Sequence, residues 1–221
     1  TGAAGFIGAI HCESALENNY NLIMVDIDAK NLKKIESKLK NKYRHQNIIS
    51  YVIDITIEKK IKFLEKKLSK EKIFIKALIN NACIDPKPIN KKKNKDLLRT
   101  WDRELDVGLK GSYLMIEYFS RKMIKNKSGC IINIASDLSV VAPNQSLYDK
   151  IYRNFEKPVT YSIIKHGLLG ITKYYAAKYG KYNITCNAIS PVGIFNNQDK
   201  KFVSRLKKLI PMKRMANKED I

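Results

Sequence analysis

Short apolar runs alternate along the chain with longer segments in which hydrophobic residues recur at helical spacing. The runs are rich in Ile and Val and lack polar alternation, which is typical of strands buried on both faces. They occupy residues 21–25, 48–53, 73–79, 130–135 and 184–189. The segments with helical period are residues 6–17, 29–40, 57–69, 97–125 and 159–179.

A strand followed by a helix, repeated, predicts right-handed crossovers and an α/β fold with a doubly wound parallel sheet. The chain begins inside a glycine-rich turn and ends where a helix starts, so we expect a first strand before Thr1 and a last strand after Ile221 to be missing. Ligands bind such sheets at the carboxyl ends of the strands. Residues directly after each apolar run are therefore the candidates for function.

Composition narrows the class of protein. The chain has 221 residues, of which 44% are hydrophobic, and no stretch reaches the roughly 18 apolar residues of a membrane span. The net charge of +21 suggests nucleic acid, but the lysines are spread along several helices, which argues against that partner. The one dense basic run, residues 87–95, is interpreted as a solvated loop. The cysteines form no metal or redox motif and predict reduced thiols in a cytoplasmic protein: Cys12, Cys83, Cys130 and Cys186.

The first eight residues read TGAAGFIG. Gly2, Gly5 and Gly8 fit a tight turn, a close backbone approach to a pyrophosphate and close packing of the following helix. Phe6 and Ile7 begin that helix, whose free N–H groups and positive dipole end would face the phosphates. The segment therefore predicts a nucleotide site.

An acidic residue supports this interpretation. Asp26 lies 18 residues after the last glycine of the segment, at the end of the next apolar run, where a carboxylate accepts ribose hydroxyls and repels a 2′-phosphate. We therefore predict a single Rossmann-type domain over residues 1–221 that binds NAD in preference to NADP. Asp28 is better explained as a helix N-cap. Asp54, with Ile55 beside it, either borders the adenine or caps its own turn.

Tyr161 and Lys165 lie four residues apart, on one face of a predicted helix. The lysine ammonium favours the phenolate, so the tyrosine can exchange a proton with an alcohol or a carbonyl while hydride is transferred. The same spacing also starts at Tyr118 and Tyr174. Only Tyr161 lies near the carboxyl end of a strand, so we interpret the other two as packing or surface residues.

Ser136 directly follows the apolar run at residues 130–135. A hydroxyl at this strand end is placed to hydrogen-bond the reacting oxygen, and Ser139 is a second candidate for that role. A serine here is also a common turn residue, so the assignment depends on the tyrosine and lysine downstream.

These residues resemble the short-chain dehydrogenase/reductase family over essentially the whole chain. The matching pieces, in order, are TGAAGFIG, Asp26, Asn80-Asn81-Ala82, Ser136, Tyr161-x-x-x-Lys165 and Pro191-Val192-Gly193. The resemblance implies an oxidoreductase that acts on a small molecule, with Ser136, Tyr161 and Lys165 as catalytic residues.

It also implies contacts with the cofactor. Lys165 would bind the nicotinamide ribose, and Asn81, with Ala82, would support the central strand beside the cofactor. The segment of Pro191, Gly193 and Ile194 would lie by the nicotinamide amide. Members of the family form homodimers or homotetramers, which the resemblance implies here too.

The sequence departs from the family pattern at several positions. The glycine spacing TGxxGxxG is similar to the longer sugar-nucleotide epimerases, although NNA and P-x-G match the compact members. Gly108 stands where the family places a catalytic asparagine that kinks a helix and holds a water. Cys83 and Val192 replace glycines near the cofactor.

An interval of 25 residues separates Ser136 from Tyr161, about twice the family spacing. Its extra part, residues 144–158, is called the insertion below. It contains Tyr148, Tyr152, Arg153 and Lys157, which favour a hydroxylated or anionic substrate if they overhang the site. The surrounding sequence also looks like dehydrogenases linked to flagellin-glycan and nonulosonate pathways.

Three alternatives to a sugar-like alcohol or ketone as substrate stay open. The first is a 3-oxoacyl-thioester reductase, against which Asp26 argues because such reductases generally use NADPH. The second is a nucleotide-binding regulator that has lost catalysis, which Gly108 favours. The third is a basic nucleic-acid binder built on this fold.

Overall fold

The computed structural model describes residues 1–86, 97–149, 151–152 and 155–221. Its strands are β1 (Leu22–Asp26), β2 (Ile48–Val52), β3 (Ala77–Asn80), β4 (Gly129–Ile134) and β5 (Ile184–Ile189). Its α-helices are α1 (Phe6–Glu17), α2 (Ala29–Lys42), α3 (Glu58–Lys70), α4 (Leu97–Leu105), α5 (Gly111–Asn126), α6 (Ser146–Asp149), α7 (Val159–Tyr179) and α8 (Lys200–Leu209). No helix among these residues is long and apolar enough to cross a membrane.

All strand pairs are parallel. β1 pairs with β2, and β4 lies between β3 and β5. The first residues of the chain lie between β1 and β3. The Ala3 N–H donates to the Val25 carbonyl of β1 (3.2 Å), and the Thr1 nitrogen donates to the Ile79 carbonyl of β3 (2.9 Å). The strand order therefore reverses at the glycine-rich segment, where sheets of this kind form a ligand crevice.

Helices cover both faces of the sheet. Adjacent residues of a strand point to opposite faces. Met24 belongs to an apolar core with Leu16 of α1 and Leu32 of α2, whereas Val25 belongs to a second core with residues of α3, α5 and α7. The doubly wound parallel fold expected from the sequence is thereby confirmed.

Two predicted elements differ from the observed ones. The helix expected over residues 97–125 is interrupted by one π-helical turn, Asp106–Lys110, between α4 and α5. The strand expected over residues 73–79 is only Ala77–Asn80, because α3 ends in a turn with Lys72 at φ 58° and the Ile73 N–H donates back to Leu68. The basic run at residues 87–95 lies outside the described residues.

Candidate active site

One cavity of about 1480 Å³ opens at the carboxyl ends of the strands. It is lined both by the glycine-rich segment and by the start of α7. Apart from the alternative serine, Ser139, the residues that the sequence nominated as catalytic or cofactor-binding all line it: Gly2, Gly5, Phe6, Ile7, Gly8, Asp26, Asp54, Ile55, Asn81, Ala82, Ser136, Tyr161, Lys165, Pro191, Gly193 and Ile194. The fold therefore brings the nominated residues together.

The glycine-rich segment is too tight for side chains. Gly2 has φ +66°, and a Cβ added to it would lie 2.8 Å from the Asn81 amide nitrogen. A Cβ on Gly8 would lie 1.9 Å from the Gly2 carbonyl oxygen. α1 begins directly after Gly5 without a side-chain cap, so its first N–H groups face the cavity mouth free of a capping side chain. The turn has the geometry that suits an anionic ligand.

Asp26 at the end of β1 fixes the same segment. Its two carboxylate oxygens accept hydrogen bonds from the N–H groups of Ala4 and Asp28, both at 2.9 Å. Each oxygen keeps acceptor capacity for a ligand hydroxyl. Asp28 is the N-cap of α2, as expected, because its side chain accepts from the Asn31 N–H at 3.0 Å. Asp54 accepts from the N–H and hydroxyl of Thr56 and also lines the cavity, so both of its suggested roles stay open.

The end of β3 is tied to the glycine-rich segment. The Asn81 side-chain amide donates to the carbonyls of Thr1 (3.0 Å) and Gly2 (3.3 Å). The Thr1 hydroxyl in turn accepts from the N–H groups of Asn81 and Ala82, both at 3.1 Å. This exchange fixes the turn against the central strand, in line with the supporting role that the resemblance implied for Asn81.

The opposite wall is the segment after β5. The Pro191 carbonyl accepts from the Asp137 N–H at 3.0 Å, and Gly193 and Ile194 pair with Ala216. These contacts place Pro191, Gly193 and Ile194 on the same side of the cavity as Ser136, away from Asp26.

Tyr161, Lys165 and Ser136 meet at the inner end of the cavity. The buried Lys165 ammonium donates to the Ile134 carbonyl at 2.7 Å and lies 5.5 Å from the centroid of the Tyr161 ring. The Ser136 side chain reaches Tyr161, and its own hydroxyl donates to Asp137 at 2.8 Å. Ser136 and Lys165 therefore both lie beside the Tyr161 side chain.

Burial controls the protonation of this group. It raises the pKa of Tyr161 well above the usual range, Asp85 raises that pKa further, and the hydrogen bond with Ser136 lowers it. Burial also lowers the pKa of Lys165, Cys83 and Asp85 oppose that change, and the nearby Lys157 ammonium adds to it. Without a ligand, the Tyr161 hydroxyl therefore keeps its proton over the ordinary pH range.

The other candidates for these roles lie elsewhere. Tyr118 is buried and donates to Glu58 at 2.7 Å, whereas Tyr174 is exposed at the surface of α7. Ser139 is buried and donates to the Ser136 carbonyl. None of the three lines the cavity. Of the three tyrosines that precede a lysine by four residues, Tyr161 is thus the one that lines the cavity.

Gly108 lies in the π-helical turn and packs against α7. A Cβ on Gly108 would lie 2.5 Å from Cγ2 of the fully buried Ile164. The kink that the family associates with asparagine is present, but Ile164 fills the space of a longer side chain. This site therefore has no room at position 108 for a water-binding amide.

The sequence did not identify an ion pair between Asp85 and Lys157 beside Tyr161. Asp85 follows β3 and Lys157 ends the insertion, and their side chains pair although 72 residues separate them. Both line the cavity. Lys157 was expected only as part of a polar overhang, and the pairing makes that overhang less cationic than its composition indicated.

Aromatic rings form much of the wall beside this pair. Tyr148 of α6 packs against Phe155 with ring centroids 5.3 Å apart and against Phe202 of α8 at 5.5 Å. Tyr152 lies 6.1 Å from Phe202. The insertion is therefore joined to α8 through rings, and it presents aromatic surface as well as polar groups. The nominated Arg153 lies outside the described residues.

Three curated proteins are similar to this chain in sequence. A NAD-dependent glycerol dehydrogenase of Listeria innocua is 29% identical over a match that covers all of this chain and 81% of that protein. Post-translational flagellin modification protein A of Campylobacter coli is 26% identical, with 100% and 85% covered. A 3-oxoacyl-[acyl-carrier-protein] reductase of Buchnera aphidicola is 32% identical, with 100% and 84% covered.

Solved structures agree with this picture. A short chain dehydrogenase of Leptospira borgpetersenii with bound NAD+ superimposes with a TM-score of 0.82 at 27% identity, covering 99% of this chain and 79% of that one. The family model described as short chain dehydrogenase matches residues 1–205. With the site assembled as described, this match establishes that the chain belongs to the short chain dehydrogenase family.

Proposed function

We propose that this protein is an NAD-dependent oxidoreductase that interconverts an alcohol and a ketone on a hydroxylated, sugar-like small molecule. The proposal rests on one observation. A single cavity is lined by the glycine-rich segment with Asp26 at one end and by Ser136, Tyr161 and Lys165 at the other. A dinucleotide that spans this cavity would bring its nicotinamide to the tyrosine.

The residues present fit the cofactor. Gly2 and Gly8 let the turn pack more tightly than any side chain would allow, and the uncapped start of α1 suits a pyrophosphate. Asp26 accepts ribose hydroxyls and repels a 2′-phosphate, which supports NAD over NADP, and the glycerol dehydrogenase relative and the NAD+-bound neighbour agree. When bound, the cofactor supplies or accepts the hydride.

The chain's own residues handle the proton. Tyr161 donates it to a carbonyl oxygen, or removes it from an alcohol, and Lys165 makes the phenolate less costly. Ser136 hydrogen-bonds the reacting oxygen after its hydroxyl turns away from Asp137. Since burial raises the pKa of Tyr161, the phenol is protonated in the protein without ligand, and alcohol oxidation requires it to lose that proton first.

The wall beside Tyr161 supports a hydroxylated substrate. Asp85 can accept from hydroxyl groups, Lys157 can donate to them, and the rings of Tyr148 and Tyr152 can cover the apolar face of a sugar-like molecule. The 32% identical reductase keeps a 3-oxoacyl thioester as the second candidate. From the family resemblance we further infer a homodimer or homotetramer in the cytoplasm.

The test compares cofactor binding with turnover. We expect wild-type protein to bind NADH at least about tenfold more tightly than NADPH, and Tyr161→Phe to keep that affinity while turnover falls about 100- to 10,000-fold. Tyr174→Phe is the matched control, because it removes the hydroxyl of an exposed tyrosine that also precedes a lysine by four residues. Polyols and an acetoacetyl thioester serve as substrates. Retained turnover in Tyr161→Phe would remove this residue from catalysis, and a preference for NADPH would overturn the role of Asp26.

A further inference from the structure

The Lys157 ammonium lies over the face of the Tyr161 ring. Its nitrogen is 3.8 Å from the ring centroid. Other lysines and arginines over rings in the described residues lie 4.4 to 5.5 Å from the centroid, including Lys165, which approaches the same ring at 5.5 Å. Tyr161 therefore has a second and closer cation, which the family motif does not include.

The ammonium is held in place from two directions. Its charge is paired with the Asp85 carboxylate, and only 10% of the Lys157 side chain is exposed. The backbone of Lys157 exchanges two hydrogen bonds with the Gln145 side chain, since the amide donates to the Lys157 carbonyl and accepts from its N–H, both at 2.9 Å. The position of the cation is thus fixed by the fold of the insertion.

Other charged and titratable groups face Tyr161 from each neighbouring segment. They are Cys83 and Asp85 after β3, Asp137 after β4 and Lys165 on α7. Tyr148 of the insertion lines the same cavity, and Glu104 of α4 accepts from Thr160, the residue before Tyr161. Asp85, Asp137 and Cys83 all raise the pKa of Tyr161, in addition to the effect of burial. A phenolate at this position needs positive charge besides Lys165 to offset them.

We propose that Lys157 is a positioning residue for Tyr161, whose ammonium stabilises the phenolate through the face of the ring while Asp85 holds it there. A cation is attracted to a neutral ring by the ring quadrupole, and to a phenolate by the full opposite charge. The proposal rests on the proposed role of Tyr161 in proton transfer. Because the ammonium lies over the ring, the phenolic oxygen stays free for Ser136 and the substrate.

The two partners should shift the pH dependence in opposite directions. Lys157→Gln removes a charge that favours the phenolate, so the acidic limb of kcat/KM for alcohol oxidation should move up by about one pH unit. Asp85→Asn removes a negative charge that opposes the phenolate, but its amide oxygen can still accept a hydrogen bond from the Lys157 ammonium, and Gln145 still holds the lysine backbone. The limb should therefore move down. Lys157→Arg should keep the wild-type limb, and the double variant should return close to it.

A second measurement follows ionisation of Tyr161 without turnover. The protein is labelled with carbon-13 tyrosine, and the ring-carbon NMR signal of Tyr161 is assigned by its absence in Tyr161→Phe. This signal is followed through a pH titration with and without the oxidised cofactor. Its midpoint should rise in Lys157→Gln and fall in Asp85→Asn. Lys42→Gln is the matched control, because Lys42 pairs with Glu13 and lies 4.9 Å over the Tyr43 ring outside the cavity. It should leave both profiles unchanged.

Two outcomes would overturn the proposal. In the first, the acidic limb of kcat/KM stays in place in Lys157→Gln and Asp85→Asn while activity falls at every pH, as a merely structural role predicts. In the second, the limb shifts in the same direction in both variants. Failure of the proposed function gives a different result, since Tyr161→Phe would then retain turnover. If Tyr161→Phe has no turnover but the acidic limb is unmoved in Lys157→Gln and Asp85→Asn, only the role of Lys157 is rejected.

Discussion

Gly108 is the residue at which the helical segment after α4 touches α7 most closely. Its backbone carbonyl accepts from the Ser112 hydroxyl at 3.0 Å, and Ile164 packs where its side chain would be. Lys165 follows Ile164 directly in the chain. We therefore expect the contact to limit how closely the start of α7, with Lys165, approaches the π-helical turn.

A methyl group at this position should destabilise the protein. Gly108→Ala gains at most about 1 kcal/mol of helix propensity, but the clash with Ile164 should cost about 1–3 kcal/mol. Ile164→Ala removes the clashing atom. The loss of unfolding free energy in the double variant should therefore be smaller, by at least about 1 kcal/mol, than the sum of the losses in the two single variants. Unfolding in urea measures all four proteins of this cycle.

The control for this cycle is Gly170→Ala in the same helix as Ile164. No atom lies within 4 Å of a Cβ added there, so this change should be neutral or stabilising. Additive effects of Gly108→Ala and Ile164→Ala would show that the close approach does not constrain α7.

The neighbours of Tyr161 that are close in sequence, or that lie at a strand end, could be predicted from the sequence. Ser136 follows a strand directly, and Lys165 is one helical turn from Tyr161, so short-range geometry fixes both relationships. The pair of Asp85 and Lys157 could not be predicted, because its contact depends on how the insertion folds back over 72 residues of chain.

The insertion is the element that most distinguishes this site. Its helix α6 contacts α8 through Tyr148 and Phe202, and the Arg205 guanidinium donates to the Ser146 carbonyl at 3.5 Å. Gln145 closes the segment by its two hydrogen bonds to Lys157. Two elements far apart in sequence thus build the substrate side of the cavity together.

Loss of the Gln145 amide should loosen this element without unfolding the protein. Gln145→Ala removes two hydrogen bonds, each worth about 0.5–1.5 kcal/mol, from a segment at the edge of the fold. Deuterium exchange should therefore become faster in peptides covering residues 144–149, while β4 stays protected, and KM for the substrate should rise.

The matched control is Gln46→Ala, which removes one side-chain amide bond to the Leu16 carbonyl, far from the insertion. It should leave exchange at residues 144–149 unchanged. Unchanged exchange in Gln145→Ala would mean that the aromatic contacts with α8 alone hold the segment.

Most elements followed from hydrophobic periodicity, and the exceptions have local causes. α1 and α7 begin and end at the predicted residues, and a glycine or a proline directly precedes each of them. The π-helical turn at Asp106–Lys110 has the same apolar period as its neighbours, so a single helix was predicted there. Residues 73–76 resemble a strand in sequence because Ile73 and Ile75 are apolar and partly buried, but the pairing of β3 with β4 begins only at Ala77.

Buried polar groups join strands and helices across the whole molecule. The Asn80 amide donates to the Asn133 side chain at 2.9 Å, and Asn133 donates to the Thr172 hydroxyl at 2.9 Å. These three side chains connect β3, β4 and α7 inside the core. They interrupt apolar runs in the sequence, and only the strand register shows that they face one another.

Charge acts on the molecule as a whole. The formal net charge is +21, and the excess lies on separate helices: α2 has six lysines and one glutamate, α3 has six lysines and two glutamates, and α8 has five basic residues and no acidic one. Charges of one sign repel in the compact state more than in the unfolded chain. The folded state should therefore gain stability when this repulsion is screened.

We expect the melting temperature to rise as sodium chloride increases from about 10 mM to about 0.2 M, where the screening length falls from about 30 Å to below 10 Å, and then to level off. Screening depends on ionic strength alone, so sodium sulfate at matched ionic strength should follow the same curve in its dilute range. A much larger rise with sulfate would instead indicate specific anion binding, for which the cavity at the glycine-rich segment is the candidate, and NAD should then compete with it. A melting temperature that falls or stays constant with salt would show that the described ion pairs, such as Lys42 with Glu13, stabilise the fold more than the excess lysines destabilise it.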